Sequence, residues 1–481
     1  MLFNTIDFAI FLPIVFILYW FVVNKNLKLQ NLLIVFASYV FYGFWDWRFL
    51  SLILFSTTVD YVVGRKLAEE KNTNNRKKLL WLSIFVNIGL LGFFKYYNFF
   101  LDNFVKAFSF FGSEINANSL QIILPIGISF YTFQTLSYTI DVYRNKLEPT
   151  KDFISFAAFV SFFPQLVAGP IERATNLLPQ FYKKRHFKYA FAVDGLQQIL
   201  WGLFKKIVIA DNAAVIANEI FNNSPDYSGS TLVVGAVFFT FQIYGDFSGY
   251  SDIAIGTAKL FGFKLKQNFA FPYFSRDIAE FWRRWHISLS SWFKDYVYIP
   301  LGGSRGSIRN KVRNVFIIFI ISGFWHGAKW TFIIWGLLNA IYFLPLLIAK
   351  KNRINLDSIA KSKFLPTFLD FFKIIITFSL TVFAWIFFRA ENLTHAFNYI
   401  SEIFSESLFT YPQLSNIRFV FSSLLIFVFM LIEWFGRNNK YAIENVASIK
   451  NRLVRWLIYF SILLVIIIFF KNNQEFIYFQ F

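Results

Sequence analysis

The chain contains no cysteine among its 481 residues and only four histidines. The absence of cysteine excludes a disulfide, a thiolate nucleophile, a thiolate metal site and palmitoylation. The sequence also lacks the HExxH spacing of zinc proteases. We therefore expect no metal site and no bound cofactor.

Charged residues are scarce, and apolar residues dominate. Hydrophobic residues make up 56% of the chain, phenylalanine occurs 69 times, and the mean hydropathy is +0.49. Because a bilayer core takes about 20 apolar residues per helical crossing, this composition predicts an all-α polytopic membrane protein with about eleven or twelve transmembrane helices. The apolar runs cover 5–23, 31–47, 49–64, 79–101, 120–140, 191–217, 231–258, 312–328, 329–349, 367–388, 418–435 and 456–470.

Long polar segments are also missing. No internal repeat or low-complexity linker occurs, and no loop is long enough for a separate soluble domain, so we expect one membrane domain over residues 1–481. The apolar run 153–168 is short and ends near Pro164 and Gly169, which favours a re-entrant segment over a crossing. The apolar positions in 395–409 suit a short helix on the membrane surface.

The basic residues are unevenly distributed between the loops. If the runs cross alternately, one set of loops holds 37 of the 47 Lys and Arg residues and the opposite set holds five. By the positive-inside rule the first set is cytoplasmic, so both termini are predicted outside. The net charge of +19 then reflects topology and contact with anionic membrane lipids, and we expect no nucleic-acid partner.

The four histidines have different surroundings. His186 and His395 lie in connecting segments and are expected to be solvated. His326 stands inside an apolar run beside Trp325, and an ionisable group at that depth is a candidate for function. The alternative is a neutral imidazole bonded to a neighbouring helix. Asp246 and Asp252 are predicted to be buried partners of Lys or Arg rather than catalysts.

The stretch EFWRRWHISLSSW, residues 280–292, combines two arginines and His286 with three tryptophans. At 100° per residue it predicts one amphipathic helix, with Trp285 on the apolar face and Arg283 and Arg284 on the other. It is either an interfacial helix whose arginines bind lipid phosphate or a helix whose arginines bind an anionic substrate.

The next segment is expected to contain a tight turn. Pro300, Gly302 and Gly303 end the helix and are expected to leave backbone amides free to meet an anion, with Arg305 beside them. Since glycines also simply make turns, this signal is weak alone.

The blocks LPIGISFYTFQTLSYTIDVYR, FVSFFPQLVAGPIER, FQIYGDFSGYSDIAIGTAKLFGF, NFAFPYFSRDIAEFWRRWHISLSSWFKDYVYIPLGG and SGFWHGAKWTFIIWG occur in this order. Residues 124–340 thereby resemble the membrane-bound O-acyltransferase superfamily. The similarity is to its bacterial alginate O-acetylase and peptidoglycan O-acetyltransferase branch, which resembles the D-alanyl transferase of teichoic acids.

The resemblance implies catalytic roles for His326 and His286, in a ring of helices around a central funnel. It implies transfer of an acyl group, expected to be acetyl, from coenzyme A or an acyl carrier toward a polysaccharide hydroxyl. Delivery would be completed by an extracytoplasmic O-acetyltransferase partner at the bacterial inner membrane.

On this reading the donor is expected near Arg283, Arg284, Arg305, Gly302 and Gly303. His286 is expected to orient the thioester or to stabilise the oxyanion. We expect supporting positions at Asp246, Trp285, Trp325 and Asn339.

The sequence departs from the branch at two places. Gly245 stands where a cysteine is common, and Asn339 and Ala340 stand where a histidine is common. Both departures leave the modified polymer open. A transporter or channel that uses intramembrane His, Asp and Arg is the alternative class, although the two similar halves expected of a transporter are not evident.

Overall fold

The computed structural model describes residues 1–112, 119–361, 363–413, 417–470 and 474–477, and these residues form helices and no strand. Four π-helical turns interrupt or extend α-helices, at Leu18–Val22, Gly92–Tyr96, Phe204–Ala210 and Lys294–Tyr298. The α-helices are α1 (Ile6–Ile17), α2 (Leu27–Asp46), α3 (Leu50–Glu69), α4 (Thr73–Leu91), α5 (Tyr97–Phe110), α6 (Ile128–Tyr143), α7 (Phe153–Ser161), α8 (Ala174–Phe181), α9 (Tyr189–Leu203), α10 (Asp211–Asn222), α11 (Gly229–Leu260), α12 (Ile278–Arg284), α13 (Ile287–Phe293), α14 (Ile308–His326), α15 (Trp330–Ile348), α16 (Phe368–Arg389), α17 (Leu393–Ile403), α18 (Ile417–Gly436) and α19 (Arg452–Phe469).

Seven helical stretches in the described part of the chain are long and apolar enough to cross a membrane. This confirms the prediction of an all-α polytopic membrane protein. The predicted number of eleven or twelve crossings, the ring of helices around a funnel and the single domain stay predictions. The stretches are Leu27–Glu69, Thr73–Phe110, Gly229–Leu260, Trp330–Ile348, Phe368–Arg389, Ile417–Gly436 and Arg452–Phe469.

Several predicted runs differ from these stretches for identifiable reasons. The run 31–47 and the run 49–64 fall within one continuous helical stretch of 43 residues. The run 120–140 becomes helical only at Ile128. The run 191–217 is interrupted by the π-helical turn that carries Lys205 and Lys206. Hydropathy depends only on how many apolar residues a segment has. It does not show where the backbone changes from α-helical to π-helical hydrogen bonding.

The first of two compact units comprises Met1–Ala192 and Thr257–Leu265. Its helices α3, α4 and α6 meet at Asp60, which is fully buried. The carboxylate accepts hydrogen bonds from Ser83 Oγ at 2.5 Å, Thr139 Oγ1 at 3.0 Å and Asn87 Nδ2 at 2.8 Å. Donors from two other helices thus satisfy a polar group that would be costly to bury alone.

The predicted re-entrant segment forms the short helix α7 in this unit. The helix ends at Ser161, and the turn that follows is buried along its whole length to Gly169. A Cβ atom at Gly169 would lie 2.4 Å from Gln165 Cα, so only glycine allows this backbone to fold so tightly. Non-helical backbone is tolerated here because protein surrounds it.

The second unit comprises Val193–Gly256 and Lys266–Phe481, and within it α9 and α11 pack through glycines. A Cβ atom at Gly249 would lie 2.7 Å from the Gly202 carbonyl oxygen, and one at Gly202 would lie 2.6 Å from the Gly249 carbonyl oxygen. Small residues four apart, here Gly245 and Gly249, let membrane helices approach closely.

Buried lysines in the same unit are paired with carboxylates on α10 and α11. Lys205 Nζ lies 2.6 Å from Asp252 Oδ2, and Lys206 Nζ lies 2.8 Å from both Asp246 Oδ1 and Asp211 Oδ1. The prediction that Asp246 and Asp252 pair with basic residues is confirmed.

We predict that Gly249→Ala destabilises the protein, because the added methyl group meets the Gly202 carbonyl and overpacking costs about 1–3 kcal/mol. Gly89→Ala is the matched control, since a Cβ atom there has no neighbour within 4 Å in the interior of α4. The control should be neutral or slightly stabilising. The apparent Tm of the purified protein in detergent measures both, and equal Tm values for the two variants would contradict the close approach.

Candidate active site

The segment 280–292 is two helices and not one. The α12 helix ends at Arg284, Trp285 is extended, and His286 adopts the left-handed conformation at φ 44° and ψ 54° before α13 begins at Ile287. The prediction of one continuous amphipathic helix is therefore wrong. A left-handed backbone is uncommon for a residue other than glycine, and such residues often occur at functional sites.

The break is caused by pairing with the segment Asn268–Ala270. Ile287 N donates to the Asn268 carbonyl at 2.9 Å, and Ala270 N donates to the Arg284 carbonyl at 3.0 Å. These bonds replace the hydrogen bonds that a continuous helix would make across residues 284–287. Helical periodicity cannot reveal a partner that lies elsewhere in the sequence.

The Asn268 side chain fixes the imidazole of His286. Its Oδ1 accepts from Ser288 N at 3.2 Å and from Ser288 Oγ at 2.9 Å, and it lies 3.1 Å from His286 Nδ1. Its Nδ2 donates to Ser251 Oγ at 3.0 Å. Because Oδ1 is an acceptor, Nδ1 of His286 carries the proton and Nε2 carries the lone pair.

Burial keeps this imidazole neutral. His286 is 1% exposed, and its burial lowers its pKa from the ordinary 6.5 to about 3. Its ring packs on Phe247 at a centroid distance of 4.6 Å and faces Trp325 at 6.0 Å. The ring can thus accept a hydrogen bond or a proton at Nε2 in a largely apolar environment.

His326 is the last residue of α14 and is 5% exposed. Three aromatic rings surround its imidazole, with centroids at 4.9 Å for Trp325, 5.2 Å for Trp335 and 5.2 Å for Phe388. Trp325 therefore contacts both imidazoles, and the structure brings the two predicted histidines to one indole ring. The supporting role of Trp325 stays a prediction, and its contact with both rings is the observation that supports it.

Trp285 belongs to the same aromatic cluster and is 1% exposed. Its ring centroid lies 5.1 Å from that of Trp385, which stacks on Trp335 at 5.6 Å. Trp285 is thus packed inside the protein, so the interpretation of residues 280–292 as an interfacial helix with its tryptophans at the headgroups is wrong. The hydrophobic face of this segment packs against other aromatic side chains of the protein instead of against lipid headgroups.

Asn339 connects this cluster to α12. Its Oδ1 accepts a hydrogen bond from Trp282 Nε1 at 3.3 Å, and its Nδ2 donates to the Trp335 carbonyl at 2.8 Å. The Trp282 ring also packs on that of Trp335, with centroids 5.6 Å apart. Asn339, which stands where related sequences are expected to have a histidine, thus holds the Trp282 indole near the site.

The two arginines of the motif have internal partners. Arg284 Nη2 lies 2.8 Å from Oε1 of the buried Glu280, while Arg283 donates to the carbonyls of Asn352 at 2.8 Å and Asn355 at 2.7 Å. Arg276 pairs with the same carboxylate at 3.0 Å. These guanidinium groups attach the segment 352–357 to α12.

The glycine turn after α13 differs from the expectation in one respect. Gly302 and Gly303 adopt φ of 98° and 57°, as tight turns require. However, Gly302 N donates to the Ile299 carbonyl at 3.0 Å and Gly303 N to the Tyr298 carbonyl at 2.8 Å. The prediction of free backbone amides is wrong, because the turn satisfies its own donors. Arg305 is exposed beside it.

A cleft of about 390 Å³ opens between this turn and α14. Gly303 lines it, whereas the other four predicted donor-binding residues do not. Lys294 and Arg353 supply positive charge, and the walls are mostly apolar. Ser322, which also lines the cleft, lies one helical turn before His326 on α14. The cleft therefore reaches from basic side chains to the helical turn before His326, and neither histidine is among its lining residues.

The remaining histidines are partly as predicted. His186 is exposed, as expected. His395 is half-buried in α17, where its ring packs on Phe221 and its Nε2 lies 3.3 Å from Ser224 Oγ. The prediction of a solvated loop residue is wrong for His395.

Reasoning from the sequence missed several residues of the site. Asn268, Glu280, Trp335, Trp385 and Phe388 were not among the predicted site residues. Trp335 lies in a block that carries the family resemblance, and Glu280 opens the motif at 280–292, so both had a signal. Asn268 opens another of these blocks, but its contact with His286 had no signal in the sequence, because it depends on pairing across the fold. Within the described ranges, no group of three or more His, Cys, Asp or Glu side chains is arranged to hold a metal ion.

Fold and site together define an integral membrane protein with a buried centre of two histidines. The sequence profile of the membrane-bound O-acyltransferase family matches residues 147–389. The chain belongs to this family and is an O-acyltransferase.

Individual relatives agree with this placement. The probable alginate O-acetylase AlgI of Pseudomonas aeruginosa is 39% identical over 435 residues, 90% of this chain and 80% of that protein. The peptidoglycan O-acetyltransferase of Helicobacter pylori is 39% identical over 82% of this chain and 78% of its own length. The teichoic acid D-alanyltransferase of Bacillus subtilis is 28% identical over 57% of this chain and 71% of its own length.

The neutral state of His286 predicts a pH dependence of stability. Unfolded, the imidazole binds a proton below its ordinary pKa of 6.5, whereas the folded form does so only near pH 3. Stability from this group is therefore present above pH 6.5 and is lost as pH falls toward 3, by about 2 kcal/mol between pH 7 and pH 5.

We expect His286→Asn, which tolerates the left-handed backbone, to lose less apparent Tm between pH 7 and pH 5 than the wild type. His186→Asn, at an exposed position, is the control and should retain the wild-type slope. Parallel pH profiles for the wild type and His286→Asn would show that the buried ring titrates normally.

Proposed function

We propose that this acyltransferase moves an acetyl group from a cytoplasmic thioester donor toward hydroxyl groups of an extracytoplasmic polysaccharide. The names of the relatives support alginate or a similar polymer as acceptor, and peptidoglycan O-acetylation or teichoic acid D-alanylation are alternatives of the same class. The observation that carries the proposal is that the buried imidazoles of His286 and His326 both contact the Trp325 ring. A cleft lined by the basic residues Lys294 and Arg353 lies nearby.

His326 is the proposed general base. Its imidazole takes the proton of the attacking hydroxyl as the oxygen forms a bond to the acyl carbon. The carbon–sulfur bond then breaks, and the leaving thiolate takes up the proton from the imidazolium. The rings of Trp325, Trp335 and Phe388 exclude water, which limits hydrolysis of the thioester.

His286 is the proposed positioning partner. Asn268 holds its Nδ1–H, so the neutral ring presents an acceptor at Nε2. This tautomer fits a role in orienting an N–H or O–H group of a bound reactant. The expected alternative, stabilisation of an oxyanion, requires a donor at Nε2 and therefore a protonated ring, which burial disfavours.

The cleft is the proposed path of the donor. Its volume of about 390 Å³ suits the acyl group and the slender arm of a thioester. Lys294 and Arg353 are exposed and can meet the phosphates of coenzyme A or of a carrier. Arg283 holds the backbone on both sides of Arg353, so it acts on the donor through that loop. Arg305 is exposed and follows the lining residue Ser304, so it stays a proposed donor contact. Arg284 is paired with Glu280 and the Gly302 amide is satisfied within its turn, so neither is proposed to bind the donor.

The charge asymmetry of the loops supports a proposed membrane setting for the reaction. Loops with most of the Lys and Arg residues, which carry the cleft, are proposed to face the cytoplasm of a bacterial cell across its inner membrane, with both termini outside. An extracytoplasmic O-acetyltransferase is the proposed partner that completes transfer to the polymer.

We predict that His326→Ala lowers thioester turnover by roughly 10²- to 10⁴-fold, since a general base contributes this much. The measurement supplies radiolabelled acetyl-coenzyme A to purified protein at equal folded yield. His186→Ala, at an exposed position, is the control and should retain activity. Unchanged turnover in His326→Ala would remove the catalytic assignment, and solute flux without turnover would favour a transporter.

We predict that Lys294→Gln with Arg353→Gln raises KM for acetyl-coenzyme A by about tenfold or more with little change in kcat, because the phosphates lose two positive partners. Lys440→Gln with Lys450→Gln removes the same charge at exposed positions away from the cleft. If both double variants raise KM equally, the effect is general electrostatics and the cleft is not the donor path.

A further inference from the structure

A second pocket lies in the first compact unit and takes no part in the acyl-transfer site. It has a volume of about 340 Å³ and lies where the helical turn Leu18–Val22 ends, against the loop that carries Lys184 and Phe187. One wall is aromatic and the rim is basic. An apolar surface with a basic rim is the pattern expected of a lipid site at a membrane boundary.

The aromatic wall is held in place by one hydrogen bond and by contacts between rings. Trp20 Nε1 donates to the Leu260 carbonyl at 2.9 Å, and its ring packs on that of Phe187 with centroids 5.6 Å apart. Phe16 packs on Phe187 at 6.0 Å. The hydrogen bond and the ring contacts together hold the indole in the wall of the pocket.

The outer part of this wall is open to the surroundings. Phe21 is 75% exposed and Phe187 is 49% exposed. Both line the pocket, and Phe21 is followed within four residues by Asn24 and Lys25. A change from exposed aromatic to basic side chains marks the level at which a chain leaves the hydrocarbon for the headgroups.

The basic rim consists of Lys25, Lys184, Arg185 and His186. Arg185 is only 7% exposed, and its Nη2 donates to Asn31 Oδ1 at 2.7 Å. Its other hydrogen bonds go to uncharged oxygens, its Nε is buried with no protein acceptor, and no described carboxylate forms an ion pair with it. A buried guanidinium without a counter-anion attracts one.

We propose that this pocket binds an anionic glycerophospholipid, with its phosphate on the basic rim and an acyl chain along Phe21 and Phe187. Positive charge alone would also attract free phosphate esters. The exposed aromatic surface has no use for such a ligand, whereas it matches the hydrocarbon of a lipid. The pocket is thus proposed to select its lipid by the negative charge of the headgroup and by the presence of an acyl chain.

The test measures binding of phosphatidylglycerol and of phosphatidylcholine with the same acyl chains to the detergent-purified chain by native mass spectrometry. The wild type should bind phosphatidylglycerol in preference to phosphatidylcholine. Lys25→Gln with Lys184→Gln should weaken phosphatidylglycerol binding by roughly tenfold. Both lysines are exposed, so the variant should fold.

Two further variants separate the contributions. Lys71→Gln with Lys77→Gln removes the same charge from exposed positions of the same unit and should bind phosphatidylglycerol like the wild type. Phe21→Ser should weaken binding of the lipid through loss of apolar contact. Glycerol 3-phosphate, which has no acyl chain, should fail to compete.

Three results would overturn the proposal. Equal loss in the two double-lysine variants would mean that net charge alone attracts the lipid. Equal binding of phosphatidylcholine would remove the role of the basic rim. Competition by glycerol 3-phosphate with no effect of Phe21→Ser would assign the pocket to a soluble phosphate ester.

Discussion

The candidate active site depends on the hydrogen bonds that Asn268 makes to the connection between α12 and α13. This residue accepts through its backbone carbonyl and its Oδ1, and it donates through its Nδ2 to α11. The bonds break the helix at His286 and hold that residue in a left-handed conformation, which costs about 1–2 kcal/mol for a residue other than glycine. The same contacts set the tautomer of its ring. Backbone strain and side-chain chemistry therefore have one cause.

Paired charges organise the surroundings of this constraint. Glu280 is buried between Arg276 and Arg284, and both arginines also donate to the Asp357 carbonyl. Removing one member of such a group would leave an uncompensated buried charge, so the group acts as a unit. Arg283 holds the nearby backbone at two carbonyls. The loop that contributes Arg353 to the cleft is thereby fixed by side chains whose charge is used inside the protein.

Packed aromatic side chains keep water out of the candidate active site. Trp285, Trp335 and Trp385 pack against one another at 5.1 Å and 5.6 Å and form one continuous cluster. Aromatic rings bury a large area with few rotatable bonds, so they can surround an imidazole without losing much conformational entropy. Aromatic residues, whose abundance indicates a membrane protein, thus also surround His326.

The sequence by itself determined the class of fold and the family, because these depend on composition and on ordered local motifs. It also pointed to His286 and His326, which the structure brings to one indole ring, and their catalytic roles stay a proposal. It also predicted that Asp246 and Asp252 would be paired, because a carboxylate at that depth needs a cation. Only the tertiary structure decided that residues 280–292 form two helices, that Arg284 pairs with Glu280, and that the amides of Gly302 and Gly303 are satisfied within their turn. The physical reason is that helical periodicity records which face of a segment is apolar, whereas a backbone break and the partner of a charge depend on groups distant in sequence. Asn268 lies eighteen residues from the histidine it fixes, and no local pattern at either position could show their contact.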